Sequence, residues 1–395
     1  QSTDANLSRS VNWTDYDNDN DLDLFVTNED EEPDNLYRND GEGSFSKLTG
    51  EPIVTSAKST MSSSWADIDN DLDLDLFAAN AKYYAAQNDQ LFINDGEGSF
   101  TEITTGDLVT DGGCSYGSAF SDFDNDGDQD LIVMNGYCTG SIVNFLYQND
   151  GTGNFTRDYT SIDDLNTPCS YGGAWGDINN DGFQDLIIAT CKNESSDPSP
   201  DNLFYLNDGN DNNWIKIKLT GTQSNTSAIG AKIFVKAIID GETVWQMREI
   251  SAQTGYCGQN SLIAHFGLGD AENIDSVNII FPSGEDTTLV NITVNQLLSI
   301  TEEPGIVSIH DIILNPEITI EPNPVHDILF LQINNMPLQN AYVEILDTTG
   351  KILYRSDITK PALQISIQGL LPAKGIYFIK VTSEDRSSTC TFSVQ

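Results

Sequence analysis

Short apolar runs alternate with dense carboxylate clusters along the first half of the chain, and the alternation repeats. Four segments align: Trp13-Thr-Asp15-Tyr-Asp17-Asn-Asp19-Asn-Asp21-Leu-Asp23-Leu-Phe-Val, Trp65-Ala-Asp67-Ile-Asp69-Asn-Asp71-Leu-Asp73-Leu-Asp75-Leu-Phe-Ala, Phe120-Ser-Asp122-Phe-Asp124-Asn-Asp126-Gly-Asp128-Gln-Asp130-Leu-Ile-Val and Trp175-Gly-Asp177-Ile-Asn179-Asn-Asp181-Gly-Phe183-Gln-Asp185-Leu-Ile-Ile. The first Asp falls at 15, 67, 122 and 177, so one unit recurs about every fifty residues. After each cluster comes a pair of apolar residues (Leu36-Tyr37, Leu91-Phe92, Leu146-Tyr147, Phe204-Tyr205) and then a turn: Asn39-Asp40-Gly41, Asn94-Asp95-Gly96, Asn149-Asp150-Gly151 and the degenerate Asn207-Asp208-Gly209. Asn-Asp-Gly between apolar runs is hairpin chemistry, because glycine accepts positive φ. Each unit therefore offers about four short strands and two tight turns, the content of one β-propeller blade. A β-solenoid is the alternative, although its period is usually shorter.

Beyond Asp211 the texture changes. Alternating strand-like runs appear at Trp214–Leu219, Ala231–Ala237 and Val277–Phe281, and their period of two argues for half-buried strands. Glu303-Pro304-Gly305 reads as a break, and apolar runs resume towards the C-terminus with turns expected at Thr349-Gly350 and Lys374-Gly375. The fold class expected is all-β: propeller-like blades over 1–212, a β-rich domain over 213–303, a linker at 304–310 and a small β-sandwich over 311–395.

The charge of the repeats points to a cation. Five acids within nine residues repel one another by several kcal/mol per close pair at a partly buried site. The spacing supplies oxygens at the first, third, fifth, seventh and ninth positions, the seventh by its main-chain carbonyl, which suits calcium. The expected ligands are Asp15, Asp17, Asp19, Asp21 and Asp23 in loop one and Asp67, Asp69, Asp71, Asp73 and Asp75 in loop two. Loop three offers Asp122, Asp124, Asp126, Asp128 and Asp130, and loop four Asp177, Asn179, Asp181, Phe183 (by its carbonyl) and Asp185. An EF-hand needs a Glu at the twelfth position and flanking helices, whereas Val26, Val133 and Ile188 stand there, so these loops join strands. Acidic solubilising turns are the simpler alternative, which four phased copies disfavour. The copies differ: loop three fits the template completely, Asn20 replaces the turn glycine in loop one, and Leu72 does so at a conformational cost in loop two. Loop two is accordingly expected to be the weakest site.

The repeats resemble FG-GAP, or VCBS-type, repeats. That resemblance implies a propeller, of which four blades are visible in a class that usually has seven. The middle region resembles the ASPIC/UnbV domain of the cartilage acidic protein family, on Asn213-Trp214, Leu219-Thr-Gly221, Ile229-Gly230-Ala231, Arg248-Glu249, Gly255-Tyr256, Gln259-Asn260-Ser261-Leu262, His265-Phe266-Gly267-Leu268-Gly269 and Pro282-Ser283-Gly284. Residues 311–395 resemble the type A C-terminal sorting domain of the type IX secretion system of Bacteroidota, on Ile320-Glu-Pro322-Asn323-Pro324, the run Val343–Ile352, Leu370 and the run Gly375–Val381. This last resemblance implies export to the outer-membrane surface or beyond, with the secretion machinery as a partner. An ordinary Ig-like adhesion module is the alternative for the tail.

The cysteines agree with an oxidising compartment. Cys114 and Cys138 bracket loop three, and Cys169 and Cys191 bracket loop four, almost symmetrically, so each pair is expected to face across a hairpin as a disulfide. No CxxC or nearby His supports zinc, and small buried hydrophobes are the other reading. Cys257 and Cys390 have no evident partner. The formal net charge of −43 argues against nucleic acid and anionic membrane, and residues 1–212 hold 42 of the 61 acids but only 7 of the 18 bases. No apolar run approaches a membrane span. The start Gln1-Ser2-Thr3 lacks a basic and apolar leader, as expected after signal-peptide removal or truncation.

No HExxH or P-loop occurs. His265, Arg248 and Glu249 are the polar candidates for catalysis, with His265 expected to be structural because it lies in a strand-like run. The expected role is a secreted, calcium-binding, non-catalytic protein with an extracellular glycan or protein ligand. An enzyme acting on polysaccharide is the alternative, and a pure spacer is a third.

Overall fold

A computed structural model describes residues 4–303 apart from 83–84, 140–142, 163–167 and 193–199, and residues 317–394 apart from 322, 335–337, 339, 372 and 384–385. The linker expected at 304–310, the start at 1–3 and Pro322 of the sorting motif lie outside the described residues. The chain forms two compact units, 1–307 and 308–395.

The first unit begins with four antiparallel sheets, each in sequence order. Blade one comprises Ser8–Thr14, Asp23–Asn28, Asn35–Asn39 and Phe45–Lys47. Blade two comprises Thr60–Ala66, Asp75–Lys82, Gln90–Asn94 and Phe100–Ile103, with the short Ala85–Ala86 paired beside its second strand. Blade three comprises Ser115–Ser121, Asp130–Asn135, Phe145–Asn149 and Phe155–Asp158. The described strands of blade four are Ser170–Gly176, Asp185–Thr190 and Leu203–Tyr205. In every blade the first strand runs into the carboxylate loop and the second leaves it at the last Asp, so Thr14 pairs with Asp23, Ala66 with Asp75, Ser121 with Asp130 and Gly176 with Asp185. The Asn-Asp-Gly turns join the third and fourth strands, with Gly41, Gly96 and Gly151 at φ of 76°, 69° and 73°.

Successive blades stack through apolar faces. Phe25 and Leu36 of blade one pack against Leu76, Phe92 and Phe100 of blade two. Phe77 and Leu91 of blade two pack against Leu131, Tyr147 and Phe155 of blade three, and Ile132 and Leu146 of blade three against Trp175 and Leu186 of blade four. The inner strands are continuously apolar because both of their faces are covered.

The rest of this unit is two further sheets. Asn213–Thr220 lies between Ala264–Gly269 (antiparallel) and Gln296–Thr301 (parallel). Lys232–Ile239 lies between Glu242–Glu249 and Asn273–Ile280, with Asp286–Thr293 on the outer edge. The second unit is a sandwich of a three-stranded and a four-stranded sheet, closed over Leu329, Leu331, Val343, Ile345, Ile379 and Phe392.

Candidate metal centre

The four carboxylate loops share one local construction. The first Asp bends back to accept loop backbone N–H groups: Asp15 from Asp19 at 3.1 Å, Asp67 from Asp71 at 3.1 Å, Asp122 from Gly127 at 3.1 Å and Asp177 from Asp181 at 3.2 Å. The fifth-position carboxylates Asp19, Asp71, Asp126 and Asp181 each accept the N–H two residues on, closing Asx turns at 2.9 to 3.0 Å. The chain reverses at Asn18, Asn70, Asn125 and Asn180, all with φ near 60°. It reverses again at the sixth position, where Leu72 sits at φ 77°, a strained setting for a residue with a branched side chain.

In three loops the carboxylates converge. One oxygen from each of Asp15, Asp17 and Asp19 lies within 4.8 Å of the others, as do those of Asp67, Asp69 and Asp71, and of Asp122, Asp124 and Asp130. Five carboxylate oxygens of these residues are buried with no hydrogen-bond partner: Asp17 Oδ1, Asp67 Oδ2, Asp69 Oδ1, Asp122 Oδ1 and Asp124 Oδ1. A buried anion without a partner is costly, and proteins normally satisfy it. Burial, followed by the neighbouring carboxylates, pushes Asp122 well above the usual carboxylate range and Asp126 up to about 7. Burial likewise raises Asp67 to about 7 and, against opposing backbone hydrogen bonds, Asp75 to about 9. The donor set is all oxygen and crowded, and it fits a hard divalent cation.

The ninth-position Asp ties two turns of its blade together. Asp23, Asp75, Asp130 and Asp185 each take the N–H of the turn asparagine, from Asn39 at 2.6 Å, Asn94 at 2.8 Å, Asn149 at 3.0 Å and Asn207 at 2.9 Å. The other oxygen takes a loop N–H, from Tyr16, Ile68, Phe123 and Ile178. The same asparagine then reaches the preceding blade: Asn94 Nδ2 donates to Tyr16 O, Asn149 Nδ2 to Ile68 O and Asn207 Nδ2 to Phe123 O, each at 2.7 Å. The seventh position is tied across blades as well. Asn18 donates to the Asp73 carboxylate, and Asn70 donates to that of Asp128 at 2.8 Å. Phe183 buries its ring over Gly209. Sequence spacing located the loops but missed these staples, although the recurrence of an Asn-Asp-Gly turn 16 to 22 residues after the last Asp of every loop was a usable signal.

The second pair of sheets meets the loops from one side. Lys232 Nζ stands 2.8 Å from Asp15 Oδ2 and also donates to Asn18, and Lys216 pairs with Asp177; all four side chains of these two ion pairs are buried. Gly267 N donates to Asp122 Oδ2 at 2.9 Å, and Glu249 accepts the N–H of Asp15 at 3.1 Å. Gly182 of loop four leaves room for the Trp214 ring at φ 94°; a Cβ there would stand 1.8 Å from the indole. In loop four the first Asp is thus held by a lysine, and Asn179 turns its amide to Asp181 at 2.7 Å. The lysines and Trp214 come from a region whose alternation predicted only strands.

Arg248, Glu249 and His265 do converge, lining a cavity of about 140 Å³ with Asp122, Trp65 and Trp175. Each is committed to internal contacts. His265 Nε2 lies 3.0 Å from Gly182 O, and burial lowers its pKa to about 4. Arg248 donates to Gln246 at 3.1 Å and, with the Gln129 amide turned to face it, to that oxygen at 2.6 and 2.7 Å. Burial raises Glu249 to about 7. The disulfides are Cys114–Cys138 and Cys169–Cys191, with Cα separations of 5.7 and 5.0 Å, and Cys257 and Cys390 are free.

Residues 15–78, 73–133 and 122–188 match the FG-GAP-like repeat, 221–307 match ASPIC and UnbV, and 319–395 match the secretion system C-terminal sorting domain. The chain therefore contains FG-GAP-like repeats, an ASPIC/UnbV domain and a type IX sorting domain, the last of which directs it to the cell surface or the extracellular space. Among characterised proteins it is similar to Cartilage acidic protein 1 of Homo sapiens, 25% identical over 224 residues that make up 56% of this chain and 24% of the human protein. It is also similar to the Xenopus tropicalis protein, 26% identical over 67% of this chain and 40% of that one. The chain thus spans well under half of either relative. PorZ, a surface component of the type-IX secretion system of Porphyromonas gingivalis, matches over 94% of this chain and 58% of its own at 12% identity, with a TM-score of 0.26, too low to bear on the fold. No described helix is long and apolar enough to cross a membrane.

Proposed function

We propose that this chain is a calcium-stapled, non-catalytic binding scaffold, exported through its sorting domain and presenting a surface to an extracellular glycan or protein. The observation that carries the calcium reading is the set of five buried, partnerless carboxylate oxygens at the first and third positions of loops one to three. The residues that would hold the ion are Asp15, Asp17, Asp19 and Asp23, then Asp67, Asp69, Asp71 and Asp75, then Asp122, Asp124, Asp126 and Asp130, with Asp177, Asn179, Asp181 and Asp185 as the fourth set. The seventh residue of each loop, Asp21, Asp73, Asp128 or Phe183, would add its carbonyl. The ion supplies positive charge that lets these carboxylates stay ionised together while buried.

Loops one and four carry a lysine on the first Asp, a positive charge any cation there must share space with. Among the described residues no lysine pairs with the first Asp of loop three, where Arg248 acts on Asp122 only through its charge, and glycine stands at its tight turn, so this loop is expected to fill first. The non-catalytic reading is supported by the commitment of Arg248, Glu249 and His265 to internal hydrogen bonds in a cavity too small for a polysaccharide. Calorimetric calcium titration of the EDTA-treated chain should find three or four sites, and melting should move up by many degrees on loading. Identical melting curves in calcium and in EDTA would remove the calcium reading.

A further inference from the structure

The strands that carry the calcium loops at one end carry a cluster of tyrosines at the other. Tyr116 lies near the start of the first strand of blade three, Tyr137 just after its second strand, and Tyr171 near the start of blade four. Tyr256 arrives from the ASPIC/UnbV domain. Its ring makes edge contacts with Tyr116 at 6.3 Å and Tyr171 at 6.2 Å, and Tyr116 meets Tyr137 at 5.2 Å. All four rings are partly exposed and line one depression of about 490 Å³. That volume lies in the range of small-ligand sites.

The depression is held rigid from several directions. Each blade tyrosine stands within two residues of a disulfide cysteine, and Tyr137 N donates to Cys169 Sγ at 3.3 Å, joining the two stapled hairpins. Tyr137 itself is in the left-handed region at φ 50°, a strained conformation that persists only where the surroundings impose it. The segment bearing Tyr256 is wedged against bare backbone. A Cβ on Gly255 would meet Ser118 O at 2.2 Å, and one on Gly258 would meet Gly173 O at 2.4 Å. Thr254 N also closes onto Gly258 O at 3.0 Å. Aromatic rings fixed in advance bind with little ordering cost.

The rim decides the chemistry. Arg9 and Glu29 line the same depression as an ion pair with Nε to Oε2 at 2.7 Å, and Asp30 stands beside them. Arg9 is already paired with Glu29, so one guanidinium against two carboxylates leaves a rim that opposes a polyanion. A neutral molecule with apolar faces for the rings and hydroxyls for the charged groups meets no like charge there. We propose that this tyrosine-lined depression binds a neutral oligosaccharide, stacking the C–H faces of its pyranose rings on Tyr116, Tyr137, Tyr171 and Tyr256. The proposal rests on the scaffold reading above and gives its ligand surface a place and a chemistry.

The test is calorimetry on the calcium-loaded full chain with neutral gluco-, xylo- and manno-oligosaccharides and a polyuronate. The wild type should bind at least one neutral series and not the polyuronate. Tyr171→Ala and Tyr256→Ala should each weaken binding by about tenfold or more, while Tyr171→Phe, which keeps the ring, should stay close to wild type with melting unchanged. Unaltered affinity in both alanine variants would overturn the site and leave the scaffold reading standing. A wild type that binds no neutral sugar yet captures a protein ligand would also overturn the site without touching that reading, whereas calcium-independent melting would count against the scaffold itself.

Discussion

The inner and outer faces of the blade stack are built from the same residues and meet different fates. Phe77 and Leu91 on the trailing face of blade two are fully buried against blade three. The equivalent Ile187 and Phe204 of blade four are 46% and 49% exposed. On the leading face, Trp175 and Phe155 are buried, whereas Trp13 and Phe45 of blade one are 47% and 42% exposed, with their rings 6.2 Å apart. The repeat therefore encodes a seat for a neighbour on both sides of every blade, and whether the seat is filled depends on position in the stack. The first and fourth blades are tied down in another way, by the buried pairs Lys232–Asp15 and Lys216–Asp177. Uncovered apolar faces of this size mark surfaces that other sheets can cover.

Three predictions break or sharpen the comparison. The largest effect should come from Phe77→Ala, which opens a cavity between two blades and is expected to cost about 3–5 kcal/mol by denaturant unfolding. Ile187→Ala at the equivalent outer position should cost under about 1 kcal/mol. Equal losses would mean that the outer face is covered in solution. Next, Lys232→Met leaves Asp15 buried without its cation and should cost about 3 kcal/mol in EDTA. Calcium should recover much of that loss, because the ion takes over the charge; a loss of the same size in calcium would show that loop one does not take the ion.

The smallest effect is a pH dependence. Asp34 and Asp89 accept the N–H of Asn28 and Asn80, each at 2.7 Å, where blade three uses Asn144 to accept from Asn135 at 3.0 Å. Burial raises both carboxyls to about 7. Their folded pKa lies above the unfolded value, so their contribution is fully present in acid and is lost as pH rises through about 7. Asp89→Asn, which copies blade three, should raise the melting temperature at pH 8 and change it little at pH 4. A shift of equal size at both pH values would refute the burial argument.

Much of this architecture was legible in the sequence. Phased carboxylates and Asn-Asp-Gly turns are local chemistry: a nine-residue oxygen-rich loop and a positive-φ turn fix their own shapes, so Asp15–Asp23, Asp122–Asp130 and the flanking strands could be placed from spacing alone. The two disulfides were legible for the same reason, since symmetric distances from a hairpin loop put Cys114 opposite Cys138 and Cys169 opposite Cys191. What stayed hidden involves partners far apart in the chain. Nothing in the spacing brings Lys232 to Asp15, Lys216 to Asp177 or Tyr256 between Tyr116 and Tyr171, because those meetings depend on how the ASPIC/UnbV sheets dock on the blades. Nor could identical patterns at Phe77 and Ile187 reveal that one is core and the other surface. The sequence by itself determined each blade and its loop, through hydrogen bonds and turn geometry that close within a few residues. Only the tertiary structure decided which charges are paired, which apolar faces are covered and where the tyrosines gather, because burial is a property of the assembled neighbours and not of the repeat.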